Sequence, residues 1–186
     1  MRTLAYLILA VGLVGWMIPF VRRQQQSVPA ATIDRRARWG ILLIGISFGL
    51  LWQGRYWTRS TALWQIVLGI SFFALASALS WTSTLALGRQ WRLDAGLNAD
   101  HELVRSGPYR IIRHPIYASM FCALIATGSV LSTPLVLFIP SLIFCGLGTA
   151  IRVRVEDRLL AQKFGVVFQD YRRRVPLLIP FTKGWF

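Results

Sequence analysis

The sequence contains few of the side chains on which metal binding and covalent catalysis usually depend. Its 186 residues include two histidines, two cysteines and seven acidic residues. Cys122 and Cys145 have no metal-ligand spacing, and His101 and His114 lie too far apart for a His-x-x-x-His pair, so we expect no metal site. No GxSxG elbow is present, and neither cysteine has a polar neighbour that would activate it. We therefore expect no covalent nucleophile, and we interpret the cysteines as packing residues in apolar segments.

Acidic residues are scarce beside 21 lysines and arginines, which gives a formal net charge of +14. Nucleic-acid binding is one explanation of such an excess, but no basic stripe alternates with stacking aromatic residues. The basic residues instead cluster in particular loops. Five lie between the first two apolar segments, two in the next loop, five between Arg89 and Arg113, and eight from Arg152 onward. We therefore expect no nucleic-acid partner.

Signals of a nucleotide-binding α/β fold are also missing. No GxGxxG follows a strand, and no segment alternates as a strand would. Loops and helix ends must therefore bind any cofactor. What the sequence has in abundance is apolar residues, which make up 55% of it.

Five apolar segments predict an all-α integral membrane protein of one domain. About 20 apolar residues cross a bilayer as a helix, so the shortest segment needs its flanks or a tilt. Ser132, Thr133 and Pro134 interrupt the last run, which predicts a helical hairpin of spans 4 and 5 whose small residues let the two backbones approach closely. The small residues are Ala118, Ala123, Ala126, Gly146, Gly148 and Ala150. The predicted transmembrane helices are 3–21, 39–54, 62–87, 115–131 and 134–151.

The distribution of basic residues predicts the orientation of these spans. Cytoplasmic loops of membrane proteins are enriched in lysine and arginine. We therefore expect the N-terminus outside and the segments 88–114 and 152–186 in the cytoplasm. Membrane lipid is an expected partner of such a multi-pass protein.

Polar chemistry concentrates in these two segments. The stretch HELVRSGPYRIIRHPIYASM, residues 101–120, contains both histidines, and Pro115 suits the first position of a helix whose positive end favours an anionic group. In the second segment, Arg152 and Glu156 share a helix face, for which an ordinary ion pair is one interpretation. Phe164-Gly165 marks the expected end of that helix.

The order of these motifs resembles the isoprenylcysteine carboxyl methyltransferase family, whose relatives include phospholipid methyltransferases. The motifs are His101-x-Leu103-Val104-x-Ser106-Gly107-x-Tyr109, Arg113-His114-Pro115-x-Tyr117, Arg152-x-x-x-Glu156, Phe164-Gly165 and YRRRVPLLIP. The resemblance covers about the C-terminal half of the chain. It implies a membrane methyltransferase that uses S-adenosylmethionine and acts on a lipophilic small molecule or a lipid-modified acceptor.

The resemblance also implies roles for particular residues. Glu156 contacts the cofactor, and Arg152 is implicated in the acceptor site, which makes these two the expected catalytic pair. An upstream polar cofactor contact of the family has no firm counterpart in this sequence, although Asp94 is near. A membrane NADPH-dependent reductase of similar architecture and a non-catalytic lipid-binding protein stay open as alternatives. The implied cofactor-binding residues are His101, Glu102, Leu103, Val104, Tyr109, His114, Pro115, Ile116, Tyr117 and Glu156.

Overall fold

Helices make up almost all of the regular structure in this computed structural model, which describes residues 2–24, 32–54, 60–97 and 100–180. The prediction of an all-helical fold is confirmed for these residues. Two 3-10 turns (Gly88–Gln90 and Gly107–Arg110) and a two-residue antiparallel pair, β1 (Thr32–Ile33) with β2 (Gly96–Leu97), supplement the helices. The helices are α1 (Arg2–Gln24), α2 (Ala37–Leu51), α3 (Leu63–Leu87), α4 (Pro115–Val130), α5 (Leu135–Phe164) and α6 (Val166–Arg174).

Three helical stretches are long and apolar enough to cross a membrane: Thr3–Arg23, Leu63–Gln90 and Leu135–Phe164. Helices α2 and α4 are also apolar but have 15 and 16 residues. A helix of this length spans about 22–24 Å at 1.5 Å per residue, less than the roughly 30 Å hydrocarbon core. The chain is thus a multi-pass membrane protein, and the count of five spans stays a prediction.

The distribution of polar and apolar side chains also suits a bilayer. Apolar residues such as Val11 and Val136 are exposed, whereas serines and threonines are buried between the helices. The hydroxyls of Thr127 and Ser141 each donate to a main-chain carbonyl four residues earlier, at 2.7 Å. Small residues with internally satisfied hydroxyls let membrane helices pack closely. The buried hydroxyl residues include Ser47, Ser80, Ser83, Ser119, Thr127 and Ser141.

Helices α4 and α5 follow one another across a short turn, but each packs mainly along a different partner. Helix α5 lies along α2, and α4 lies along α3. Helices α4 and α5 meet near the turn, where Gly128 faces the Phe138 ring. They meet again at the ends far from the turn, through the side chains of Tyr117 and Arg152. The predicted close approach of the two helices through their small residues is therefore wrong.

A pair of glycines explains why α5 packs on α2 instead. A Cβ atom added at Gly148 would lie 2.6 Å from the carbonyl oxygen of Gly40, and one added at Gly40 would lie 2.5 Å from Cγ of Arg152. The two backbones approach this closely because neither glycine has a side chain. Arg152 lies one turn after Gly148 on the same helix, so the contact also sets where Arg152 lies.

Substitution of Gly148 tests this packing. We expect Gly148→Leu to lower the free energy of unfolding by about 1–3 kcal/mol, because the added side chain forces α2 and α5 apart. Gly146→Leu is the matched control, since a Cβ at Gly146 meets no atom within 4 Å. The two variants share the same gain in helix propensity. Equal melting temperatures for the two proteins, measured in detergent, would contradict the glycine contact.

Helix α5 continues to Phe164 as one helix, beyond the end of the predicted span at residue 151. Its 30 residues are about 45 Å long, so roughly ten of them exceed the hydrocarbon core. Gly165 ends the helix with a φ of 52°, a left-handed conformation that glycine adopts without strain. The expected helix end at Phe164-Gly165 is thus confirmed, and α6 then buries Phe168 and Tyr171.

Candidate functional site

A cavity of about 280 Å³ lies between α1, α2, α4 and α5. One wall is apolar and comes from α1, α2 and α4: Trp16, Met17, Phe20, Ile41, Ile44 and Met120. The polar wall contains the polar side chains of the cavity and includes the loop of residues 90–97 together with His101, Tyr109, His114, Tyr117, Arg152 and Glu156. Small-molecule sites typically begin at about 300 Å³ and combine an apolar lining with a few placed polar groups. The cavity therefore has the size and lining of a small-molecule site.

Tyr117, Arg152 and Glu156 form a connected group on the polar wall. The Arg152 guanidinium donates from Nε to the Tyr117 hydroxyl at 2.6 Å and from Nη2 to the Leu93 carbonyl at 2.8 Å. Nη2 also lies 3.1 Å from Oε1 of Glu156, and the Tyr117 hydroxyl donates to the same oxygen. Arg152 and Glu156 do form the ion pair that their spacing allows. Tyr117 and the 90–97 loop hold the guanidinium in one orientation.

Asp157 forms a second group behind the first. Its Oδ2 accepts a hydrogen bond from Nη1 of Arg113 at 2.6 Å, and its Oδ1 lies 3.0 Å from Nε2 of His114. Nδ1 of His114 lies 3.6 Å from Oε2 of Glu156. Sequence reasoning assigned no role to Asp157 or Arg113. The available signal was the position of Asp157 beside Glu156 in a chain with few acidic residues.

The C-terminal segment closes this side of the site. The main-chain amides of Arg113 and His114 donate to the carbonyls of Pro176 and Leu177, at 2.8 and 3.1 Å. Nε of Arg113 donates to the Val175 carbonyl at 3.0 Å. The two polar segments that flank the last two apolar helices in sequence are therefore joined directly in space.

His114 interacts with both carboxylates of the site. Burial lowers the pKa of His114, but its hydrogen bonds to Asp157 and Glu156 have the opposite effect and together raise the pKa above its ordinary value of 6.5. With His114 protonated, three cations (Arg113, His114 and Arg152) face two carboxylates. The group carries one net positive charge, which favours an anionic ligand nearby.

The raised pKa of His114 predicts a dependence of stability on pH. Its stabilising contribution is fully present below pH 6.5 and is lost as the pH rises through the higher pKa of the folded protein. We expect the melting temperature to fall as the pH rises above 6.5, by about 2–4 °C for each kcal/mol lost. His114→Gln should flatten this part of the profile. An identical pH dependence in the parent and the variant would show that His114 is not the group responsible.

The buried polar atoms around the cavity that have no hydrogen-bond partner among the described residues include Oε1 of Gln90, Nδ1 of His101 and Nη1 of Arg152. Burial lowers the pKa of His101 to about 4, helped by the positive charges of Lys163 and Arg92, so its ring is neutral at pH 7. Buried polar groups are nearly always hydrogen-bonded in folded proteins. All three residues line the cavity, so these atoms indicate a polar ligand there.

The structure brings part of the predicted site together. Glu102 is exposed and Pro115 is buried at the start of α4, and neither is among the residues that line the cavity. Leu103 and Val104 are half-buried and also lie off the cavity wall, whereas Asp94 lies on it. These assignments stay predictions. The predicted residues that line the cavity are His101, Tyr109, His114, Ile116, Tyr117, Arg152 and Glu156.

The contribution of the first two helices was not foreseen. Trp16, Met17 and Phe20 of α1 and Ile41 and Ile44 of α2 carry no motif, and only the folded arrangement places them at the cavity. Trp16 also donates from Nε1 to the Ser119 hydroxyl at 3.1 Å, which ties α1 to α4. Across the described residues, no group of three or more His, Cys, Asp or Glu side chains is arranged to hold a metal ion.

These features define a multi-pass helical membrane protein with a mostly apolar cavity that several charged side chains also line. The sequence profile of the isoprenylcysteine carboxyl methyltransferase (ICMT) family matches residues 67–162. The chain belongs to this family, which confirms the resemblance seen in its motifs. The matched range includes His101, Tyr117, Arg152 and Glu156.

Curated relatives include metal resistance proteins and methyltransferases. A nickel-cobalt-cadmium resistance protein, NccN of Alcaligenes xylosoxydans xylosoxydans, is 30% identical over 136 residues, which are 63% of this chain and 63% of the relative. CzcN, a cobalt-zinc-cadmium resistance protein of Cupriavidus metallidurans, is 28% identical over 80% of this chain and 65% of its own length. Protein-S-isoprenylcysteine O-methyltransferase of Tribolium castaneum is 30% identical over 66% of this chain and 44% of its own length. The matches thus span less than two thirds of each relative.

Proposed function

We propose that the protein is an S-adenosylmethionine-dependent methyltransferase that transfers a methyl group to a lipophilic acceptor in the membrane. The observation that carries this proposal is the set of three unpartnered buried polar atoms around one cavity, in a chain of the ICMT family. A prenylcysteine carboxylate or a lipid would be a suitable acceptor. The apolar wall suits the hydrophobic part of such a molecule, and the charged wall suits the reacting end.

The residues present fit S-adenosylmethionine, which supplies a methyl group on a positively charged sulfur. Its amino-acid end carries an ammonium and a carboxylate, and the rest carries many hydrogen-bonding atoms. Glu156 would hold the ammonium, since 27% of its side chain is accessible compared with 7% for Arg152. Nδ1 of His101 and Oε1 of Gln90 offer further polar contacts. The implied contacts of Tyr109, His114, Pro115, Ile116 and Tyr117 complete the proposed cofactor site.

Arg152 would orient the acceptor. Its Nε and Nη2 atoms are already bound to Tyr117, Leu93 and Glu156, whereas Nη1 is the atom without a partner. A guanidinium fixed on one side and free on the other presents a defined direction to an anionic group. Alignment of the nucleophile with the methyl group supplies much of the rate in such a transfer. A carboxylate acceptor needs no general base, and none is assigned here.

The acceptor would enter sideways from the bilayer. Met17 of α1 and Ile41 of α2 both line the cavity, and they are 43% and 37% exposed. The apolar wall is therefore accessible beside two apolar helices, and a lipid tail would enter there. Partition of the acceptor tail from water into the bilayer, at about 0.8 kcal/mol for each methylene, would concentrate the acceptor at this entrance.

Acceptors with and without an apolar tail test this route. We expect removal of the tail to lower kcat/KM by more than about tenfold, which corresponds to two lost methylenes. The measurement compares the same reacting group on a long-chain and a truncated acceptor, in vesicles. Equal turnover of the two molecules would contradict entry from the bilayer.

The orientation of the protein is part of the same proposal. We infer five spans with the cofactor site facing the cytoplasm, because the basic residues concentrate in alternate loops. Reporter fusions at Thr58 and at the C-terminus should then report opposite sides of the membrane. A cytoplasmic signal from both fusions would overturn this arrangement.

Direct binding measurements separate this function from its rivals. We expect S-adenosylmethionine to bind the purified protein in a calorimetric titration and NADPH not to bind. Binding of NADPH alone would favour the membrane reductase. Binding of neither cofactor, in a protein that unfolds cooperatively, would favour a non-catalytic lipid-binding role.

A further inference from the structure

A second pocket, which we term the arginine pocket, lies between the 3-10 turn Gly107–Arg110 and α6. Arg105, Arg110 and Arg174 line it, and Asp170 is the one carboxylate among its described lining residues. The pocket shares no lining residue with the cavity. Its excess of two positive charges therefore belongs to a separate site.

The three arginines differ from those in the cavity by their lack of partners. Arg113 and Arg152 are buried and each is paired with a carboxylate. In the part of the chain that the structure describes, no carboxylate forms an ion pair with Arg105, Arg110 or Arg174. All three side chains are exposed, and an anion between them would be attracted by three guanidinium groups at once. The arrangement thus has the charge to bind an anion.

The arginine pocket lies beside the end of an apolar helix. An ideal Cβ at Gly107 would lie 3.4 Å from Cβ of Ala86, so the 3-10 turn packs on the last turn of α3. Leu85 beside this contact is 60% exposed, and Ile111 directly after the turn is 56% exposed. The apolar helix α4 begins at Pro115. The pocket therefore adjoins the ends of two apolar helices, α3 and α4, where we expect the edge of the bilayer.

The side chains around the pocket also suit a lipid. Val167 and Val175 line it beside the arginines, and Val166 next to them is 70% exposed. Apolar residues and arginines meet in this way at the depth of phospholipid headgroups. A soluble anion would gain nothing from the valines.

We propose that the arginine pocket binds the phosphate group of an anionic membrane phospholipid. Guanidinium groups bind phosphate oxygens with paired hydrogen bonds, and three guanidinium groups line the arginine pocket. The pocket is also connected to the cavity, because Tyr171 lines the pocket and its hydroxyl donates to the carbonyl of Tyr109 at 2.6 Å. The bound lipid would thus hold the segment that contains Tyr109 in position. The proposal does not depend on methyl transfer.

Binding of short-chain lipids to the full chain in neutral detergent tests this site. The probes are dihexanoyl phosphatidylglycerol, dihexanoyl phosphatidylcholine and inorganic phosphate, each followed by thermal shift and by tryptophan fluorescence. We expect phosphatidylglycerol to bind at least tenfold tighter than the other two. Combined replacement of Arg105, Arg110 and Arg174 by glutamine should weaken its binding by roughly fivefold per arginine.

The control is the combined replacement of Arg35, Arg36 and Arg38 by glutamine, which removes the same charge from exposed positions at the start of α2. We expect this variant to bind phosphatidylglycerol like the parent. Equal losses in the two variants, or no loss in the first, would overturn the site. Equal binding of inorganic phosphate and phosphatidylglycerol would overturn the lipid as its ligand.

A second variant tests the site in case the triple replacement does not fold. Val167→Asp keeps every arginine and places a carboxylate in the wall of the pocket, at a position that is half exposed. We expect it to lose binding of phosphatidylglycerol while keeping the melting temperature of the parent. Unchanged lipid binding in this variant would also contradict the proposal.

Discussion

Arg152→Lys is expected to lower the rate of methyl transfer about a hundredfold while leaving the affinity for S-adenosylmethionine nearly unchanged. Lysine keeps the positive charge beside Glu156 but has one nitrogen in place of three. The native guanidinium binds Tyr117, Leu93 and Glu156 and still presents Nη1 to the cavity. A single ammonium cannot reproduce this geometry, so the acceptor loses its alignment.

Arg154→Lys is the matched control for this substitution. Arg154 lies on the same helix, is exposed and is not among the residues that line the cavity. We expect it to retain the activity of the parent. Initial rates and calorimetric titrations of the cofactor separate the two effects. If Arg152→Lys weakened cofactor binding as much as it lowered the rate, the proposed acceptor role of Arg152 would be wrong.

The second large effect is expected at Glu156. Glu156→Gln removes a charge-assisted contact with the ammonium of the cofactor, which should weaken binding by about 1.5–3 kcal/mol, or roughly 10–150-fold. The substitution also leaves Arg152 and His114 with less compensating charge. A fall in melting temperature is therefore expected beside the loss of affinity, and titrations must be made below the transition.

Asp157→Asn provides the comparison for Glu156. Asp157 is the neighbouring carboxylate and contacts Arg113 and His114, but it does not line the cavity. We expect its replacement to lower stability with a smaller loss of cofactor affinity. Should both variants bind the cofactor as the parent does, Arg152 and Glu156 would form an ordinary ion pair and the proposed cofactor contact would fail.

Local signals in the sequence predicted the helical elements well. Long uncharged runs identified the helices, Pro115 marked the start of α4, and Gly165 marked the end of α5. These features depend on nearest neighbours along the chain, because proline fixes φ and glycine adopts a left-handed turn. The continuation of α5 past residue 151 follows from the lack of any helix-breaking residue before Gly165.

Contacts between distant helices could not be predicted in the same way. The small residues of α4 and α5 gave no indication of their partner, and Gly148 contacts Gly40 of α2 rather than α4. Each glycine allows a close approach by any helix, so the choice depends on the packing of all of them together. The apolar wall formed by α1 and α2 was missed for the same reason.

The sequence predicted the motifs of the candidate site but not the hydrogen bonds that join them. The order of His101, His114, Tyr117, Arg152 and Glu156 identified the family, which the sequence profile confirms. The bonds of Arg113 to Asp157 and to the C-terminal segment follow from folding over more than 40 residues. No spacing rule applies at that separation.

The most direct test of the account is methyl transfer by the purified full-length chain. The protein in vesicles is incubated with S-adenosylmethionine labelled at its methyl group and with a total lipid extract, and the organic phase is then counted. The account predicts label in the organic phase with the parent and about a hundredfold less with Arg152→Lys. Absence of label with a folded parent protein that binds S-adenosylmethionine, or equal label with both proteins, would contradict it.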